Sequence, residues 1–452
     1  MAESLQQALD RTGDAVELLR DAPVASVPFH GAPEHSNWMT EQRAWRESVA
    51  LLDQSHHMND LFIAGPDALR LFQDFGVNRI DDYAVGKAKH LVTVDRDGLF
   101  IGDNILFHLE TDAFDLVGQP FSVNWIEYQA TTGGYDVEVR RDPPTPYRGG
   151  RPPELYRYEL QGPNALALVE RLTGEPVPPV KFFTMTRLTI AGKPVRALRH
   201  GMAGQPGLEL FGPWTDGEAV LDAILAAGEA FGLYRVGTKA YSTANLESGW
   251  MPALVPAIYD GDEMTAFREW LPASAAGSIG GSFAAADIRD YYVSPYDLGY
   301  GRVVAFDHDF YGRDGLAARS TGPHREKVTL VWDETDLQRT IGASLRAEGT
   351  PAKYLELPKA RYATHQYDRI QVGDELVGIS SDCGYIANER CFVSLALIDA
   401  EKAQPGTEVV VVWGEEPNSA KPGVEPHGQV EIRATVAPAP LPTFARTTYR
   451  SA

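Results

Sequence analysis

Residues 199–213, RHGMAGQPGLELFGP, restrict what this chain can fold into more than any other stretch. Gly201, Gly204 and Gly207 recur at three-residue intervals, and each glycine in a helix interior costs about 1 kcal/mol relative to alanine. The stretch therefore reads as a tight loop feeding a strand, with Glu209 set among Leu208, Leu210 and Phe211. Residues 236–250 belong with it: they open on Gly237, carry Lys239 and Tyr241, and end at Gly249, a natural helix stop. Taken alone, Glu209 and Tyr241 fit either a site or a hairpin turn beside a buried tyrosine.

A chain of 452 residues exceeds one core, and about 150 residues per domain predicts roughly three. The expected divisions are an N-terminal α+β part over 1–150, a second α+β part over 151–321 and a C-terminal β domain over 322–452. The last follows from β-rich runs at 327–332, 377–379, 392–398, 408–413 and 429–436, broken by Gly, Pro and Asp. The net charge of −21 argues against a nucleic-acid surface, which needs clustered Lys and Arg. The apolar run at 409–413 is far short of the about 20 residues of a membrane span. The first twenty residues place acids where a signal peptide needs positive charge, so a soluble cytoplasmic protein is expected. Cys383 and Cys391 alone make neither a disulfide framework nor a zinc site. The run Asp307, His308, Asp309 is not expected to bind metal, because consecutive side chains rarely converge on one ion.

Along the chain, the first twenty residues read as one amphipathic helix with Leu5, Leu9, Val16 and Leu19 on or near one face. An irregular piece follows over 21–35. A helix over 37–52 starts from Ser36 as its cap. Strands follow at 91–94, 99–101, 105–109 and 114–117, with Asp103 in a turn. A strand over 156–160 leads to Gln161-Gly162-Pro163. Within the unusual stretch 260–290, residues 274–283, small and glycine-rich, read as a mobile loop over a pocket.

Several segments, in order, carry a resemblance. Residues 52–58 (LDQSHHM) are similar to a Phe-Asp-x-Ser-His-Met segment, and 98–103 to a turn holding a functional aspartate. Residues 160–163 (LQGP), 199–210, 294–299 (SPYDLG), 310–313 (FYGR) and 378–397 continue the series. Together they resemble the tetrahydrofolate-dependent aminomethyltransferase superfamily, that of the glycine-cleavage T-protein. Tyr241 stands where broader members have an arginine, and the doubled His56-His57, the HGMAG run at 200–204 and LESGW at 246–250 resemble the aryl O-demethylase subgroup. Vanillate-type members have an arginine for the substrate carboxylate where this chain has Gln119.

The resemblance implies an α+β fold, a three-domain cloverleaf whose C-terminal domain is all-β and barrel-like, with tetrahydrofolate in the middle. It implies an enzyme that moves the methyl group of an aromatic methyl ether, a small lignin-derived methoxyarene or methoxybenzoate, to tetrahydrofolate. The leaving group is a phenolate whose conjugate acid has a pKa of about 10. Alignment of the reacting atoms can supply about 7–11 kcal/mol, and a tyrosine hydroxyl can donate to the departing oxygen without carrying charge beforehand. Tyr241 and Asp103 are thus the expected catalytic residues. Glu209, Arg199, Gly207 and Trp250 are the expected folate contacts, and His57, Gln54 and Gln119 the expected substrate contacts. Asp103 also fits a plain turn, His57 a core histidine and Trp250 a core tryptophan. No metal, nucleic acid or membrane is called for. The alternatives are a folate-dependent N- or S-demethylase and a folate-binding scaffold without turnover.

Overall fold

The computed structural model describes residues 2–24, 30–80 and 83–450; part of the irregular piece expected over 21–35, including Pro28, lies outside them. Ser4 caps the first helix, Leu5–Thr12, and Gly13 ends it in the left-handed region at φ 76°. The single N-terminal helix is therefore two, Leu5–Thr12 and Ala15–Asp21. Leu5, Val16 and Leu19 are nonetheless all buried, as the periodicity requires.

Eleven strands follow in order: β1 (Val49–Asp53), β2 (Asn59–Ala64), β3 (Ala88–Val94), β4 (Phe100–Glu110), β5 (Ala113–Gly118), β6 (Glu138–Asp142), β7 (Leu155–Gln161), β8 (Met185–Ile190), β9 (Lys193–Leu198), β10 (Gly207–Pro213) and β11 (Leu233–Val236). They form a five-stranded sheet, β3-β4-β5-β2-β6, and a six-stranded sheet, β11-β1-β7-β10-β9-β8. Asn37, not Ser36, caps the helix Trp38–Glu47 through Met39 N–H. That helix stops at Ser48, and residues 49–52, expected to continue it, belong to strand β1. β1 pairs with β7 on one side and β11 on the other, and two ladders outweigh the helical pattern of a four-residue apolar run. Asp103, expected in a turn, lies within β4 between β3 and β5.

β7 alternates cleanly. Tyr156, Tyr158 and Leu160 pack into a core under the helices Ala165–Thr173 and Trp214–Gly228. Arg157, Glu159 and Gln161 take the opposite face and are also buried. From that face Arg157 joins the two sheets. Its guanidinium donates to Asp60 of β2, Asp115 of β5 and Glu209 of β10, and the rings of Phe107 and Phe211 lie 5.1 and 5.0 Å away.

The remaining strands are β12 (Ile279–Gly280), β13 (Arg325–Trp332), β14 (Lys359–Ala360), β15 (His365–Gln366), β16 (Asp368–Val372), β17 (Glu375–Ile386), β18 (Cys391–Asp399), β19 (Glu408–Trp413) and β20 (Val430–Pro438). The ring β17-β16-β19-β20-β13-β18 closes through the β17–β18 ladder into a six-stranded barrel, which leaves no long free edge. Residues 274–283 do not hang over a pocket. From Ser278 to Phe283 every residue is buried, β12 pairs with β15, and Ser282 donates to Val412 of the barrel. The glycines serve close approach: a Cβ at Gly281 would lie 2.0 Å from the Tyr367 carbonyl oxygen.

Candidate active site

β1 and β11 run parallel, with Leu52 opposite Val236, so both strands deliver their next residues to the same end of the sheet. After β1 come Gln54 and the turn Ser55–His57; after β11 come Gly237 and the short helix Thr238–Tyr241. The buried Glu41 fixes the second approach, since its carboxylate accepts from Gly237 N–H at 2.8 Å and from His35 N–H at 2.7 Å. Any Cβ at Gly237 would meet the Pro33 carbonyl oxygen at 2.4 Å.

The result is a cluster of three expected site residues. His57 Nε2 is 3.0 Å from the Tyr241 hydroxyl oxygen, and Gln54 hydrogen-bonds the same tyrosine. Burial drives His57 down to about 3, so the imidazole is neutral at pH 7. Burial likewise holds the Tyr241 hydroxyl well above its ordinary value, so the phenol keeps its proton. In the tautomer with hydrogen on Nε2, His57 donates to the tyrosine oxygen and leaves the tyrosine proton available for a third group.

Glu209, on β10, is 3% exposed and accepts from Arg157 at 2.8 Å. Burial raises it, and Arg157 opposes that shift. Between Glu209 and Tyr241 stands Glu159 of β7, which accepts from Met202 N–H at 2.7 Å and from Gln54. Around the loop 199–207 several buried polar atoms have no partner among the described residues: both ring nitrogens of His200 and the amide nitrogens of Gln161 and Gln205.

Asp103 belongs to a second group. One of its oxygens accepts from His90 Nε2 at 2.7 Å, Tyr300 O–H at 2.7 Å and Trp250 Nε1 at 3.0 Å. Burial pushes this carboxyl up, but the three donors, His90 foremost, outweigh it and hold it below the usual range. Asp103 and Trp250, expected separately, are therefore bonded to each other.

The other expected residues are held in other ways. Arg199 donates its guanidinium to the Val180 carbonyl at 3.0 Å and its backbone N–H to Thr184. Gly207 pairs with Gln161, where a Cβ would lie 1.9 Å from the Leu160 carbonyl oxygen; the ladder itself requires glycine there. Gln119 is clamped through its backbone by Asn104, N–H to Oδ1 at 2.9 Å and Nδ2 to its carbonyl at 3.0 Å, and begins the helix Pro120–Thr132. Asp307 pairs with Arg79, His308 bonds the Gly76 carbonyl and Asp309 faces Arg313, so each of the three has a partner of its own. Two surface recesses of about 360 and 410 Å³ lie on the C-terminal region around Lys353 and Arg339, away from Tyr241 and Glu209.

Residues 25–254, just over half of the chain, match the GCVT N-terminal domain. The chain belongs to the GCVT family. Across 455 aligned positions this GCVT-family chain is 46% identical to syringate O-demethylase from Sphingobium sp., covering 99% of the chain and 98% of the relative. It is 28% identical to sesamin methylene transferase from Sinomonas sp., over 83% of the chain and 81% of that protein. Its fold matches that of glycine cleavage system aminomethyltransferase T from Bartonella henselae with a TM-score of 0.60, at 18% identity and 90% coverage of each chain. The GCVT cloverleaf with its C-terminal barrel is thus the architecture seen here.

Sequence reading of this GCVT-family chain missed Arg157, Glu159, His90 and Tyr300. For the first two a signal existed: polar residues at 157, 159 and 161 alternate with Tyr156, Tyr158 and Leu160, a face too polar for a plain core strand. His90 and Tyr300 meet at Asp103 from 210 residues apart, which no local pattern shows.

Proposed function

We propose that this protein transfers the methyl group of an aromatic methyl ether to tetrahydrofolate, releasing a phenol and 5-methyltetrahydrofolate. The observation that carries the reading is the buried, uncharged Tyr241–His57 pair, in a chain alike over almost its full length to an enzyme named as a syringate O-demethylase.

The residues on the sheet face fit a reduced pterin. Glu209 offers a buried carboxylate to ring N–H groups, a pairing suited to two adjacent donors. The amide nitrogens of Gln161 and Gln205 and the ring of His200, unpartnered among the described residues, supply further polar contacts around the loop 199–207; buried polar atoms of this kind are costly unless something bonds them. When bound, tetrahydrofolate supplies the amine that accepts the methyl group. Glu209 orients the ring, and Trp250, held by Asp103, flanks the bound aromatic groups. Tyr241 donates toward the ether oxygen as negative charge develops there, with His57 holding the phenol oxygen in place. Gln54 and Gln119 are the polar substrate contacts in this reading. A neutral glutamine at 119 suits methoxyarenes with or without a carboxylate.

No helix among the described residues is long and apolar enough to cross a membrane, and a cytoplasmic reaction fits the reading. The test is to incubate the protein with tetrahydrofolate and a panel of methoxyarenes (vanillate, syringate, methoxybenzoates, guaiacol) and weigh the products. Matching amounts of a phenol and 5-methyltetrahydrofolate are expected. Failure of every methoxyarene, or no response to reduced folate, sinks the proposal.

A further inference from the structure

Glu159 on β7 lies directly opposite Glu209 on β10 in an antiparallel ladder. Directly opposite residues send their side chains to one face, with Cβ atoms about 4.5–5.5 Å apart. Two carboxyls therefore share one patch of a buried face, 0% and 3% exposed. Their surroundings differ in one decisive respect. Glu209 accepts from the Arg157 guanidinium at 2.8 Å. Among the described residues Glu159 has no cation: its oxygens meet the Met202 N–H and the Gln54 amide.

Two like charges this close in a water-poor site cannot both persist, and the group without a cation keeps the proton. Burial, and then the charge of Glu209, push Glu159 well above the carboxylate range, outweighing the Met202 N–H and the Gln54 amide, which pull it down. The opposed pair thus splits into a member that the Arg157 cation favours as carboxylate, available for ligand contact, and a neutral one beside it. Gln54, the partner of Glu159, is also a partner of Tyr241. Glu159 therefore lies one amide away from the hydroxyl assigned to the leaving oxygen.

We infer that Glu159 is a positioning residue of the methyl transfer, a buried carboxyl opposite Glu209 that fixes Gln54 against the Tyr241 hydroxyl and works in its uncharged form. The inference rests on the reading that Tyr241 meets the ether oxygen. The physical reason for neutrality is direct: a second negative charge beside Tyr241 opposes the phenolate that develops there. The ionisable groups facing Glu159 are Glu209 from β10, with Arg157 behind it, Tyr241 from the helix after β11 and Tyr449 from the C-terminal segment. Activity should fall on the alkaline side as Glu159 ionises.

The test compares wild type, E159Q and E159A. Glutamine copies a neutral carboxyl in size and in having one donor and one acceptor end. E159Q should hold kcat within about threefold of wild type at neutral pH and lose the alkaline fall in kcat that the wild type shows. E159A frees Gln54 and should lower kcat by roughly tenfold to a hundredfold, the scale of a misplaced reacting group, with the KM for tetrahydrofolate little changed. A second readout needs no substrate. The infrared difference between wild type and E159Q at neutral pH, without ligand, should contain the carbonyl stretch of a protonated carboxyl, above the amide I band. Absence of that band overturns the inference, as does an E159Q enzyme with the same alkaline limb as wild type or one as slow as E159A. A wild type that demethylates nothing would instead sink the proposed function, and the infrared band would still decide the charge state of Glu159.

Discussion

The Tyr241 hydroxyl oxygen stands 3.0 Å from His57 Nε2, with the two rings edge-on at 72° and their centroids 4.8 Å apart. Both members are uncharged at neutral pH, since burial disfavours the imidazolium and the phenolate alike. A neutral donor held by a neutral ring is suited to a leaving oxygen that becomes negative only as its bond to carbon breaks. Tyr241→Phe keeps the ring and removes the donor. Turnover should fall by about 10²–10⁴-fold, the usual worth of a positioned acid, with tetrahydrofolate affinity nearly intact. Single-turnover kinetics beside a folate titration will tell; undiminished turnover would remove Tyr241 from the chemistry.

Glu209→Gln removes the charge that the proposed pterin contact uses and keeps the side-chain volume. A hydrogen bond to a charged group is worth about 1.5–3 kcal/mol, so Kd for tetrahydrofolate should rise roughly 10- to 100-fold. Calorimetric titration measures it. An unchanged Kd would mean that the ring is held elsewhere.

Arg157 is the cation on which Asp60, Asp115 and Glu209 converge, across both sheets. Arg157→Met leaves buried carboxylates without a counter-charge, a change that typically costs about 3–5 kcal/mol. Denaturant unfolding should show a loss of that size. A loss below about 1 kcal/mol would mean that Arg157 does not hold the two sheets together.

His365 is fully buried, bonds the Ala253 carbonyl, and is lowered by burial to about 3 from an ordinary 6.5. Between those values the unfolded chain binds a proton that the folded chain refuses. This residue's cost is therefore nil above about pH 6.5 and grows as pH falls toward 3. His365→Gln should flatten the stability–pH curve in that window by up to about 1.4 kcal/mol per pH unit. Parallel slopes for wild type and variant would refute the assignment.

What the sequence by itself determined is what depends on neighbours along the chain. Three glycines in seven residues exclude a helix and force a loop into the strand of Glu209, as seen in β10. Gly249 ends the helix Ala244–Ser248 at φ 73°, and the alternating β-rich runs beyond 322 close into the barrel. Tertiary structure decided whatever depends on a distant partner. Residues 49–52 read as the end of a helix until β7 and β11 supply two ladders. Asp103 read as a turn residue until β3 and β5 enclosed it and His90, Trp250 and Tyr300 converged on it. Residues 274–283 read as a mobile loop until Asp368 and Val412 of the barrel took up the polar groups of Ser282. The pairing of Glu159 with Glu209 belongs to this second kind, because one ladder sets two carboxyls 50 positions apart side by side and a single arginine divides their roles.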